Sequence, residues 1–264
     1  MALPVRGGES RLQEGRKCSH VSIKKSQLIL LYASLDISLE PNRRGGYAKA
    51  MENQVAPEAA LPETGWRGSR EGWLEAGYQA LIDGGIDAVK ILPLARRLNL
   101  SRTSFYWFFE DREALLTALI DGWEERTTFP LIRASLEYAE TLAEGMLNVL
   151  ACFLSGAFDA RLEFAVRSWA LQDGKVGTRV AAADETRLSA LRGMLARWGH
   201  GEQEADVRAR TIYLTQIGYI SMRAQEGLET RLARIPTYVE IYTGQAAEPR
   251  ELARFNARLA PVPR

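Results

Sequence analysis

From Ser69 onward, apolar residues recur every three or four positions, and no two-residue alternation of any length interrupts them. A chain with that period buries its apolar stripes by packing helix on helix, so the spacing predicts an all-α protein. The first stripes are also short. Trp73, Ala76, Ala80, Leu81 and Gly84 share one face of a first helix, closed by Gly84-Gly85. Ile91, Leu94, Ala95 and Leu98 share a face of a second, with Pro93 tolerated in its first turn. Asn99 accepts the left-handed backbone that a sharp turn needs. Ser101 then caps a third helix over 102–109, and Asp111 caps a fourth, on which Leu116, Leu119, Ile120 and Trp123 follow the i, i+3, i+4, i+7 pattern. Short helices joined by a tight turn make a helix-turn-helix at about 90–109.

The third helix contains FYWFF, residues 105–109, more ring surface than one short helix can bury. Phe105 and Phe109, four apart, fit its inner side against Leu94 and Leu98. The opposite side then carries Arg102, Thr103, Tyr106 and Trp107, where 102/106 and 103/107 are again four apart. Arginine reads guanine edges, threonine meets a thymine methyl, and a tyrosine hydroxyl donates to phosphate. For Trp107, packing on the first helix or on a second copy is an equal alternative. Between 90 and 112, five basic residues (Lys90, Arg96, Arg97, Arg102, Arg112) stand against Glu110 and Asp111. Such a local stripe is what phosphate contact requires. The whole chain, with net charge +1, has no global field to draw it to nucleic acid or membrane.

The stretch ILPLARRLNLSRTSFYWFFEDREALLTAL resembles the DNA-binding domain of TetR/AcrR-type transcriptional regulators. Leu94-Ala95, Ser101, Ser104-Phe105-Tyr106, Phe109 and Asp111 to Leu115 fall on that family's pattern in register, and Ala76, Leu81 and Gly85 extend the match into the first helix. Asn99 replaces the usual turn glycine, Thr103 a frequent glycine and Phe108 a common histidine, while Lys90-Ile91 replaces Val-Thr. The resemblance implies that Lys90, Ser101, Arg102, Thr103, Ser104, Tyr106, Trp107 and Arg112 contact double-stranded DNA. It casts Arg112 as a phosphate clamp at the start of the fourth helix, where free N–H groups also favour an anion. It further implies a homodimeric repressor that binds a pseudo-palindromic operator and is released by a small hydrophobic effector. An activator is the alternative within this class; a helical protein–protein adaptor with a vestigial helix-turn-helix is the alternative outside it.

Beyond residue 128 the pattern stays helical, with breaks near Pro130, Gly156, Gly174, Gly199 to Gly201 and Gly227. LAEGMLNVLACFL, 142–154, is apolar nearly all round, as a central bundle helix should be. Tyr138, Met146, Leu150, Phe153, Phe164, Trp169 and Tyr213 are candidates for an effector pocket, with Asn148, Arg167 and Gln216 to orient the ligand; at helical spacing, plain core is the competing reading. In the long helix 203–225, Thr211, Leu214, Gly218 and Ser221 form a narrow seam, with 232–242 packing beside it. By resemblance these two elements pair with their copies as a four-helix dimer interface; core packing within one chain is the alternative. The expected organisation is an extension over 1–65, the DNA-binding domain over 67–127, an effector-binding and dimerisation domain over 128–246, and a tail over 247–264 with room for a short helix.

Residues 1–65 carry basic pairs, scattered Gly and Pro and no sustained period, which reads as a disordered extension. Met51 within it offers an internal start. Two cysteines, Cys18 and Cys152, fit a reducing cytosol. Two histidines with no CxxC or HExxH give no metal site, and no nucleophile–base pair or phosphate loop suggests an enzyme or a cofactor. The apolar runs at 28–35 and around 146–154 fall short of the roughly 18–20 residues that span a bilayer. The first also lies too far from Met1 for a secretory signal. The expectation is a cytoplasmic protein with no membrane partner.

Overall fold

The computed structural model describes residues 68–260; the extension expected over 1–65 and the start at Met51 lie outside the described residues. Those residues form ten α-helices and one 3₁₀ turn, Ile86–Ala88, with no strand among them. We label the helices α1 (Arg70–Gly84), α2 (Ile91–Arg97), α3 (Arg102–Phe105), α4 (Arg112–Leu136), α5 (Leu142–Leu154), α6 (Ala160–Ala170), α7 (Gly174–Arg197), α8 (Glu202–Ser221), α9 (Leu228–Thr243) and α10 (Pro249–Leu259). The all-α class and the amino-terminal helix-turn-helix stand as the periodicity requires.

Local chemistry sets the amino-terminal boundaries. Ser69 Oγ accepts from Gly72 N–H at 3.0 Å, Ser101 Oγ from Ser104 N–H at 3.3 Å, and Asp111 Oδ1 from Ala114 N–H at 2.8 Å. Each cap satisfies one of the N–H groups that a helix start leaves unpaired. Gly85, at φ 71, ends α1, and Asn99, at φ 54, makes the turn into α3. The third helix is shorter than the expected 102–109. After Phe105 the backbone tightens into i→i−3 bonds, from Tyr106 N–H to Thr103 O, Trp107 to Ser104 and Phe108 to Phe105. The tighter winding still brings Phe109 under Phe105, with ring centroids 5.4 Å apart and planes at 26°.

Pro130 does not break its helix; α4 runs through it. The proline removes the N–H that Arg126 O would receive, and Asp159 N–H, from the α5–α6 connection, fills that acceptor at 3.1 Å. At the other end of the bundle, Arg223 takes φ 49 just past α8, so that helix stops short of the expected 225. The tail forms α10, opened by a capping box between Glu248 and Glu251.

Two apolar cores result, and they do not part at residue 127. The first joins Trp73, Leu94, Phe105, Leu119 and Trp123 to Leu162, Val166 and Trp169 of α6 and Val176 and Val180 of α7. The second holds Leu131, Met146, Leu150, Leu191, Ile212, Tyr213, Val239 and Phe255. The helix α4 contributes to both. Hence α6 and the first half of α7 are built into the core beneath the helix-turn-helix.

Candidate nucleic-acid interface

The aromatic run divides as its spacing requires. Phe105 is fully buried and Phe109 nearly so, and Phe105 meets the buried Trp73 edge-on at 5.2 Å between centroids. Tyr106 is 48% exposed and Trp107 64%. Arg102 and Thr103 are exposed beside them, and Arg102 Nη2 donates to Tyr106 Oη at 3.2 Å. With its inner rings held in the core, the short α3 segment has one solvent-exposed face, and that face carries a guanidinium, a methyl with a hydroxyl, a phenol and an indole.

Lys90 is exposed at the N-cap of α2, and Arg96 is exposed on the same helix. Arg97 is engaged with Asp83 at 3.1 Å, an exposed pair. Ser101 is exposed but spends its side-chain oxygen on the cap.

Two residues depart from their expected places. Ser104 is buried, and its hydroxyl donates to Ser101 O at 2.7 Å, so it stabilises the first turn of α3 and does not join the outer face. Arg112 donates from Nε to Val89 O at 2.7 Å and from Nη2 to Ile86 O at 3.1 Å, with Nη1 3.5 Å from Glu113. Its fork is a strut between the start of α4 and the chain leading into α2. A phosphate clamp needs those same donors free. Arg70, on the other hand, was not singled out by the sequence. Its guanidinium lies 5.1 Å over the Phe109 ring, which brings an exposed cation from the start of α1 to the end of the aromatic run. Only the packing of α1 against α3 makes that proximity.

The expected effector residues are brought together only in part: Met146, Leu150 and Tyr213 share the second core, with Phe153 packed against it, whereas Tyr138, Phe164 and Trp169 lie elsewhere. Tyr138 is 53% exposed at the α4–α5 corner, Met146 and Leu150 lie in the second core, and Trp169 lies in the first. Phe153 packs on Phe158 at 4.8 Å, and Phe164 lies under Arg223 at 5.4 Å. Tyr213 is buried with its hydroxyl among charged groups. Of the orienting residues, Asn148 donates to Tyr138 O at 3.2 Å, and Arg167 is taken up by Glu163 and Asp184. A cavity of about 10 Å³ lies between Leu150, Leu154, Gln216, Tyr219, Arg231, Ile235 and Tyr238, room for roughly one water.

Thr211, Leu214 and Ser221 are exposed on the outer face of α8, and Gly218 is half-buried there. None of the four belongs to either core, and a methyl group placed on Gly218 would meet no atom within 4 Å. Among the described residues, no three His, Cys, Asp or Glu side chains are grouped to hold a metal ion, and no helix is long and apolar enough to cross a membrane.

Residues 74–119 match the family model for bacterial regulatory proteins of the tetR family. Over 108 residues the chain is 29% identical to the tetracycline repressor protein class G of Vibrio anguillarum, across 40% of this chain and 51% of that protein. The chain therefore spans about half the length of the curated relative it matches. Among solved structures, Salmonella enterica GusR superposes with a TM-score of 0.54 at 17% identity, over 66% of this chain and 93% of that one, a likeness of fold. The family match runs from Leu74 in α1 to Leu119 in α4, and so contains the turn, all of α3 and its outer face. Over this amino-terminal domain, the chain is similar to the bacterial regulatory proteins of the tetR family.

Proposed function

We propose that this chain is a DNA-binding transcriptional regulator of the repressor type, reading a pseudo-palindromic operator as a homodimer and released by a small, largely apolar effector. The outer face of α3 carries the reading: Arg102, Thr103 and Tyr106 stand exposed on a segment whose other side is anchored by Phe105 and Phe109. Arg102 presents a fork that fits guanine O6 and N7. Tyr106 accepts from Arg102 and keeps its own proton for a phosphate oxygen. Lys90, Arg96 and Arg70 supply further positive charge around that face, whereas Arg112 supports it from beneath.

So short a reading segment contacts few base pairs, and two half-sites are needed to single out one place in a genome. The outer face of α8 suits the second copy. Val207, Leu214 and Met222 leave apolar surface in water, Ile241 of α9 adds to it, and Gly218 leaves room for close approach. For the effector, the supporting observation is the shared core of α1 to α4, α6 and α7. A ligand that separates helices in the carboxyl-terminal bundle acts directly on the packing beneath the reading face, and it switches the protein by preferring one arrangement over the other. A 100-fold loss of DNA affinity requires about 2.7 kcal/mol of such preference.

Fluorescence anisotropy with a labelled duplex from upstream of the protein's own gene tests the reading. Binding should be saturable, salt-dependent and lost on a scrambled duplex, and Arg102→Ala should weaken it by about 1–3 kcal/mol while relaxing preference at one base pair per half-site. Equal binding to the scrambled duplex, or no binding, would remove this function.

A further inference from the structure

Where the two apolar cores meet, charged side chains lie sealed from water. Arg187 of α7 and Glu163 of α6 have no exposed surface. Glu163 accepts from Arg187 Nη1 at 2.8 Å, Arg167 Nε at 2.8 Å and Trp123 Nε1 at 2.7 Å. Arg187 also donates from Nε to Thr128 Oγ1 at 3.0 Å, from Nη2 to Thr127 Oγ1 at 2.8 Å and from Nη1 to Tyr213 Oη at 2.8 Å. Tyr213 passes its proton toward Asp184 Oδ1 at 2.6 Å, and Arg167 pairs with the same carboxylate. Two arginines face two carboxylates, so the charges cancel. Burial works against the Arg187 charge, yet Glu163 and Tyr213 outweigh it and raise its pKa.

The geometry gives this cluster a use that apolar packing lacks. Apolar side chains of about the right size repack when a helix slides. A guanidinium cannot, because its five N–H groups leave in fixed directions. Trp123, Thr127 and Thr128 all sit on α4, the helix whose first turn closes the helix-turn-helix. Moving α4 along its axis by one residue, about 1.5 Å, would take both threonine oxygens from Arg187 and leave donors unpaired where no water reaches.

We propose that the Glu163–Arg187 node is a positioning element, fixing the axial register of α4 against α6, α7 and α8 and thereby the orientation of the Arg102–Tyr106 face. Its consequence for DNA rests on the proposed function; its consequence for α4 does not.

The full chain serves as parent, with Glu163→Leu/Arg187→Met as the main variant. Removing both charges together is tolerated where losing one partner is not. Thr127→Val/Thr128→Val is a milder companion that withdraws only the α4 acceptors. Two readouts separate positioning from stability. In a Cys18→Ser background, spin labels at Glu110→Cys and Glu240→Cys, assembled with excess unlabelled protein, report the distance from reading segment to α9 within one chain. The parent should give one narrow distribution. Both variants should stay folded and give a broader or displaced one, and affinity for the upstream duplex should fall at least tenfold in the main variant and less in the companion. If the variants melt cooperatively, keep the narrow distance and bind DNA like the parent, the proposal is overturned. Should the main variant fail to fold, an unchanged distance in the threonine variant overturns it alone. Distances that broaden in a protein whose parent ignores the duplex would uphold the node and remove the DNA-binding reading.

Discussion

On the exposed face of α3, Tyr106 accepts a hydrogen bond from Arg102, and in the proposed function it donates to phosphate. Tyr106→Phe removes both at once. Affinity should fall for every sequence, by about 0.5–1.5 kcal/mol, and a titration against several operator variants checks that the loss is uniform. A loss confined to one base pair would instead assign Tyr106 to base reading. A second residue-scale test lies in the first core. A methyl group on Gly122 would come within 1.8 Å of the Tyr78 hydroxyl, so Gly122→Ala should destabilise by about 1–3 kcal/mol. Tyr78→Phe should recover part of that in the double variant; additive losses in urea melts would show that the two do not meet. Burial also pushes the Tyr78 phenol from its ordinary 10 up to about 12, and the Cys152 thiol from 9 up to about 12. Both are neutral when protonated, so the native state holds its protons longer than the unfolded chain. Their stabilisation is complete below about pH 9 and declines toward pH 12. Urea melts across that window should show the decline, and Cys152→Ala should make it shallower; an identical slope would exclude the thiol as a contributor.

At the scale of single elements, α4 and α10 each show how a local defect is answered from elsewhere. Pro130 leaves Arg126 O without its helical donor, and Asp159 N–H replaces it. Pro130→Ala should therefore change stability by less than about 1 kcal/mol, although proline inside a helix ordinarily costs about 3 kcal/mol. A large gain in a denaturant melt would mean that the Asp159 bond compensates little. The helix α10 sets Arg250, Arg254 and Arg258 one turn apart, facing Glu140, Glu144 and Glu137, while Phe255 enters the second core. Burial and charge make different predictions there. Phe255→Ala should cost about 3 kcal/mol through the cavity it leaves, whereas substituting the solvent-exposed arginines singly should change little. The same series of melts at low and high salt distinguishes the two contributions.

At the scale of the whole molecule, the proposed dimer covers the outer face of α8. Leu214 and Met222 are 60% and 81% exposed, and neither core requires them. Gly218→Leu should leave folding of the single chain intact, because nothing lies within 4 Å of the added atoms' starting point. Sedimentation should then give monomers, with loss of operator binding. A variant that remains dimeric and binds unchanged would exclude this face as the dimer contact.

The helices of the amino-terminal domain were legible because their determinants are neighbours in the chain. Caps at Ser69, Ser101 and Asp111 reach N–H groups within three residues, and the Phe105/Phe109 stripe is a one-turn repeat. Asn99 showed its left-handed turn for the same reason. The sequence by itself thus determined the all-α class, the helix-turn-helix and which side of α3 faces outward. Only the tertiary structure decided what each charge and ring meets. Arg112 reads as a free phosphate clamp until the carbonyls of Ile86 and Val89, contributed by an earlier turn, close on it. The aromatics of the carboxyl-terminal half mark buried faces, but helical spacing carries no information about which of two cores receives them, and Trp169 and Met146 fell on different sides. Glu163 and Arg187 look like ordinary surface charges in a helical pattern. Their burial, and with it the junction between helix-turn-helix and bundle, exists only where four helices cross.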